Sequence, residues 1–300
     1  MITSQDLDES QKTLDALFEE VSSLESRLSG GEALDVGGNA VKSLRDTKVS
    51  FGNPSNNLIR LTEKLFKDVG ARLTEIHKQQ MREQFDFYYM TITLSMQPGQ
   101  GVEFKRIECS LNLGPKGKEE PVIQAIFPKG EWRELLSLGA GLNIGLKGNL
   151  DWGVEVDPII LQSIPHFPGQ LEANVTNKNK LNAFITTPNY TFRLGNTDIA
   201  ATGEGNSECF WRIEKPELRG GQTIQFGLVF KVPKGQKSIM LTALAAVEPN
   251  INWLLGTLRN VYEYLSDTLK QLFLLKDEER TRKERLPIGI YEQWSIQLPS

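Results

Sequence analysis

The spacing of apolar residues changes three times along this 300-residue chain, near Gln84, after Pro249 and near residue 286, and those changes limit the folds open to it. Before Gln84 and from Pro249 to about residue 285 the apolar side chains recur every three or four positions. Elsewhere they recur every second position. The first period builds helices with one oily stripe, and the second builds strands with one oily face. The chain therefore reads as α+β. A helical, coiled-coil-like segment is expected over 1–83 and an antiparallel β-sandwich-like domain over 84–248. A long amphipathic helix follows over 249–285, and a C-terminal strand over 286–300 rejoins the β-domain. No strand–helix–strand rhythm occurs, so a parallel doubly wound sheet is not expected.

In the first segment Ser4 reads as an N-cap and Gly30-Gly31 as the stop. Leu14, Leu17, Val21, Leu24 and Leu28 step by three and four in alternation, a heptad seam about three heptads long. Residues 30–53, rich in Gly, Asn and Ser, read as a linker or a loose short helix around Val41 and Leu44. A second strong helix is expected after Pro54, with Leu58, Leu61, Leu65, Val69, Leu73 and Ile76 on one face at a mean step of about 3.6. Two readings of the seam follow. Either the two helices close on each other as a hairpin, or Leu14, Leu17, Val21, Leu24 and Leu28 form a contact with another subunit. The hairpin is the preferred reading.

In the β-region, Phe85, Phe87 and Tyr89 alternate, and Met90, Ile92, Leu94 and Met96 alternate one position out of phase. Pro98-Gly99 then reads as a turn to a partner strand from Val102 to Leu113, a simple hairpin. Further strands are expected over 121–127, 190–194, 209–213, 223–232 and 238–245, separated by Gly- and Pro-bearing turns. The longest alternation runs from Leu142 to Asp157, with Leu, Ile, Trp and Val in one phase and polar residues or Gly in the other. Lys147-Gly148-Asn149 would be the turn of that two-stranded ribbon. After Pro249, Leu254, Leu258, Val261, Leu265, Leu269, Leu272 and Phe273 lie on one broad helical stripe.

The inventory for chemistry is thin. The formal net charge of −4 gives no electrostatic pull on nucleic acid. Cys109 and Cys209 stand a hundred residues apart and read as buried free thiols in a reducing compartment, so a cytoplasmic location is expected. The first residues lack the basic and apolar regions of a signal peptide, and no window holds 18 apolar residues. In a cytoplasmic chain the sequons at Asn174 and Asn189 carry no meaning. His77 and His166 are the only histidines, and neither has a second ligand at metal-binding spacing. The glycines of Leu138–Gly145 resemble a dinucleotide-binding turn, but a helix-like Glu131–Leu136 precedes them and a period-2 ribbon follows, where a strand and then a helix are required. Glu119-Glu120 and Asp277-Glu278-Glu279 fall in charged runs and read as solvated. No cofactor, no metal and no catalytic residue is expected.

Subtraction leaves a non-enzymatic structural or scaffold protein that acts by protein–protein contact, with itself or another chain. The first alternative is a membrane-active, pore-forming-like protein that uses the 142–157 ribbon. Against it, each arm has only about seven residues where a spanning strand needs roughly ten. The second alternative is a ligand-binding or hydrolytic β-domain.

Overall fold

A computed structural model of the protein describes residues 1–27, 32–68, 71–73, 75–127, 135–138, 142–145, 154–156, 199–214, 222–276 and 278–300. The helices are α1 (Ser4–Arg27), α2 (Glu32–Arg45), α3 (Glu63–Asp68), α4 (Glu75–Glu83), α5 (Ile251–Thr257) and α6 (Asp267–Leu274). The strands before residue 130 are β1 (Lys48–Phe51), β2 (Leu58–Leu61), β3 (Ala71–Leu73), β4 (Phe85–Gln97), β5 (Phe104–Gly114) and β6 (Val122–Phe127). Next come β7 (Leu135–Leu138), β8 (Leu142–Gly145), β9 (Val154–Val156) and β10 (Ile199–Thr202). The last four are β11 (Glu208–Glu214), β12 (Gln222–Pro233), β13 (Ser238–Pro249) and β14 (Ile288–Gln297).

Two five-stranded antiparallel sheets form the body. Sheet one runs β1-β4-β12-β6, with β2 also on β4, and sheet two runs β10-β11-β5-β13-β14. Alternation explains how they face each other. In β4 and β12 the even residues point inward, and the register sets Leu94 beside Ile224, Ile92 beside Phe226, Met90 beside Leu228 and Tyr88 beside Phe230. In sheet two the inward residues are odd: Ile107, Cys109 and Leu111 of β5, Trp211 and Ile213 of β11, and Leu241, Ala243 and Ala245 of β13. All of them share one buried cluster. Trp211 and Phe226 join the sheets, with ring centroids 4.9 Å apart. The expected sandwich is therefore present, and β14 pairs with β13 from Ser238 to Val247 as the rejoining strand.

Several expectations are corrected. The stretch from Phe85 to Leu113 is no hairpin, because β4 belongs to sheet one and β5 to sheet two. As neighbours in one sheet, Met90–Met96 and Ile107–Leu113 would have made one larger uncovered face. Split between sheets, they cover each other. The connection passes against α2 so closely that a Cβ on Gly99 would stand 2.0 Å from the Ser43 carbonyl oxygen. β4 also has no change of phase. Its ladder to β12 is unbroken, and Phe87, Tyr89 and Thr91 on the outer face are buried as well.

The second strong helix after Pro54 does not form. A 3-10 turn over Pro54–Asn57 is capped by Asn53, whose side chain accepts from the Ser55 amide. Leu58–Leu61 then pairs with β4, and Thr62 caps α3 by accepting from the Leu65 amide at 3.2 Å. The partner of α1 is α2, from the stretch that reads as a linker or a loose short helix around Val41 and Leu44. Val41 and Leu44 are fully buried in the same cluster as Leu14, Leu17 and Val21. Arg45 pairs with Asp15 at 3.1 Å and lies 4.1 Å over the Phe18 ring.

The cap of α1 is Thr3 and not Ser4. Thr3 Oγ1 accepts from the Asp6 amide at 3.2 Å while Asp6 Oδ2 accepts from the Thr3 amide at 2.8 Å, a reciprocal box. The long C-terminal helix is likewise absent. α5, a 3-10 turn at Tyr262–Tyr264, and α6 replace it. Asn250 caps α5 by accepting from the Asn252 and Trp253 amides, and the Ser266 amide donates to the Glu20 carboxylate on α1. Leu254, Leu258, Val261, Leu265, Leu269 and Leu272 are nevertheless all buried. The expected stripe is buried, but three short elements carry it in place of one helix.

The ribbon is also paired differently where it is described. β8 pairs with β7, and β9 pairs with β3. The expected helical turn at 131–136 thus gives way at Leu135 to strand β7. The ribbon turn at 147–149 and the strand expected at 190–194 lie outside the described residues.

Candidate functional site

Leu14, Leu17 and Val21 are buried inside the chain at 1% exposure or less, and Leu24 packs half-buried against the same cluster. Leu28 lies outside the described residues. The seam is thus occupied internally. A contact with another subunit through these residues would require α1 to leave its own core.

The chemistry of the molecule gathers instead on the outer face of sheet two. Strand alternation that sends Ile107 and Cys109 inward sends Arg106 and Glu108 outward. The β11 register then places Glu214 beside Arg106 and Arg212 beside Glu108. Arg106 Nε donates to Glu214 at 2.7 Å, and Arg212 Nη2 stands 2.9 Å from Glu108 Oε1. On the other side, β13 sets Glu248 against Arg106, with Nη1 at 3.3 Å from Oε2. Glu248 is 3% exposed and Glu108 likewise, so two carboxylates are buried on a face that strands usually leave wet. Burial raises the Glu248 carboxyl above the ordinary range, and Arg106 and Arg285 pull it back only in part. Burial works against the charge of Arg106, but its hydrogen bond to Glu214 and the neighbouring carboxylates outweigh it and raise its pKa.

A cavity of about 290 Å³ opens at this end, where β13 runs into α5. Lys105, Arg106, Arg280 and Arg285 supply positive charge to its wall, Glu248 and Glu278 negative charge, and Ile251 and Pro249 apolar surface. Arg280 is itself 7% exposed. Glu248 Oε1 is buried and accepts no hydrogen bond, and Arg285 Nη1 stands 3.8 Å from it. Glu278, read from sequence as one of a solvated run, is a wall residue of this cavity. The others carried no local signal, because only the register across β5, β11 and β13 brings them together.

The remaining candidates are quieter. Burial pushes the thiols of Cys109 and Cys209 well up, which keeps them protonated and inert. His77 is half-buried near the Phe87 ring, and burial, then Lys231, lower its pKa. Glu120 sits on the surface with Lys116 and Ser207. His166 lies outside the described residues. Among the described residues no three His, Cys, Asp or Glu converge as a metal site, and no helix is long and apolar enough to cross a membrane, which says nothing of strands.

No protein-family model and no curated protein matches the chain. Among solved structures, the Clostridium perfringens delta-toxin aligns at 13% identity over 67% of this chain and 83% of its own, with a TM-score of 0.31. The Clostridium perfringens NetB toxin in its membrane-inserted form aligns at 9% over 55% and 78%, TM-score 0.25. The Staphylococcus aureus collagen adhesin aligns at 8% over 70% and 44%, TM-score 0.25. All three are partial overlaps at low identity.

Proposed function

We propose that this chain is a membrane-active protein that perforates bilayers as an assembly of copies, each contributing an amphipathic two-stranded ribbon from residues 128–198. One topological observation carries the reading. Phe127 ends β6, the edge strand of sheet one, and Ile199 begins β10, the edge strand of sheet two. Among the described residues, neither sandwich sheet draws a strand from the stretch between them. Its described ties are the short β3–β9 ladder and the local β7–β8 pair. Extruding the stretch would therefore leave every sandwich ladder intact.

The residues in that stretch suit the task. From Leu142 to Asp157 one phase is Leu, Ile, Trp and Val, broken once by Gly148, and the other is polar or Gly, matching a lipid face and a lumen face. The whole stretch is long enough to lengthen each arm to the roughly ten residues a spanning strand needs. A lone ribbon in lipid would expose two rows of unpaired backbone groups, so several copies must close a barrel. This makes a second copy of the chain its partner.

Dye release from liposomes tests the proposal. The expected result is leakage that falls at least about tenfold in Ile144→Lys, since a lysine on the lipid face at mid-bilayer costs on the order of 2–4 kcal/mol. Intact vesicles under every lipid composition, pH and protease treatment would retire it. A scaffold working by protein contact is the second reading, supported by Tyr264 and Leu274, which stand 57% and 71% exposed on the C-terminal helical layer. A defined oligomer in light scattering that never releases dye is its signature.

A further inference from the structure

The cavity beside Glu248 has a wall of mixed charge that no step of the proposed pore requires. We infer that it binds a small zwitterion, a primary ammonium group joined to an anionic oxygen group, with the ammonium on Glu248 and the anion on Lys105, Arg280 and Arg285. The first argument is the orphan oxygen. Glu248 lines the cavity, and its buried Oε1 receives no hydrogen bond, since Arg285 Nη1 at 3.8 Å is too distant to donate one. Glu248 Oε2, by contrast, is held by Arg106 at 3.3 Å. A buried carboxylate oxygen left without a donor, on a residue at the edge of a cavity, calls for an N–H donor. A quaternary ammonium has none to give, so a primary ammonium is the fitting group.

The second argument is the rest of the wall. Four cationic side chains face two carboxylates across it. A simple cation would meet the four, and a simple anion would meet the buried Glu248. One molecule carrying both charges satisfies both sides. The volume of about 290 Å³ holds a group of several non-hydrogen atoms with water to spare, a water's share being about 30 Å³. An ethanolamine phosphate has this chemistry, whether free or as the headgroup of a lipid.

Calorimetric titration of the full chain with O-phosphoethanolamine tests the inference, with ethanolamine and inorganic phosphate as separate probes. Binding of the zwitterion at least about tenfold tighter than either half is expected. Glu248→Gln should remove that advantage. Because a buried ion pair is altered there, Lys105→Gln on the half-buried rim serves as the second variant, and it should weaken binding of the zwitterion and of phosphate while ethanolamine binding stays in place. Equal binding of phosphate alone, indifferent to Glu248, would show an anion site only and overturn the inference, as would no binding at all. Sedimentation with vesicles of phosphatidylethanolamine against phosphatidylcholine then separates the sources. Retention on the former alone points to a lipid headgroup, and soluble binding without retention to a free zwitterion. Neither readout depends on dye release, so the site can fail while the pore stands, and the reverse.

Discussion

Leu17 is fully buried in the core that α1 and α2 share with the sandwich, and this gives it a measurable consequence. Leu17→Ala should destabilise the monomer by about 2–5 kcal/mol, read as a lower urea midpoint with unchanged slope. Were the leucine seam a contact between subunits, the same change would leave the monomer's midpoint alone. Trp211, also fully buried, joins the sheets through Phe226, and Trp211→Ala is expected to cost about 3–5 kcal/mol. His77 gives a pH test. Its pKa in the fold is depressed by burial and then by Lys231, so its contribution to stability is fully present above the ordinary imidazole value and is lost as pH falls through the depressed one. Denaturation midpoints should therefore drop on mild acidification, and His77→Gln should flatten that part of the profile.

At the scale of elements, local signals were read well where local chemistry decides the outcome. The α1 cap was displaced by one residue because Thr3 and Asp6 form the reciprocal box that Ser4 cannot. Thr3→Ala should cost about 1 kcal/mol and fray the first turn, visible as faster amide exchange over residues 4–7. β14 is legible because Ile288, Ile290, Trp294 and Ile296 share one phase of a two-residue period that only Glu292 breaks. Its docking, however, depends on Gly289, where a Cβ would stand 2.1 Å from the Ala245 carbonyl oxygen. Gly289→Val should cost upwards of about 1–3 kcal/mol and release the C-terminal strand, measurable by its proteolysis. The failures have a shared cause. Leu58 to Ile76 and Leu254 to Phe273 each have helical spacing, yet β4 recruits Leu58–Leu61 as a strand. Asn250 and the Ser266–Glu20 contact restart the C-terminal helix in pieces. In Leu254–Phe273 the helical period marks side chains that are buried together whatever backbone carries them, whereas in Leu58–Ile76 tertiary contacts override it and leave Ile76 68% exposed.

For the whole molecule, the division of labour follows from what one-dimensional pattern can carry. The periods of 3.6 and 2 by themselves determined the α+β class, the positions of β4, β5, β11, β12 and β13 along the chain, the return of the C-terminal strand, and the oiliness of the α1 seam. Only the tertiary structure decided that β4 and β5 part into opposite sheets, that α2 is the partner of α1, and that Arg106, Glu248, Arg280 and Arg285 meet around one cavity. The reason is physical. Alternation states that a face is apolar, but burial is non-directional and accepts any cover of the right shape, so the choice of cover is made by the packing of the entire chain.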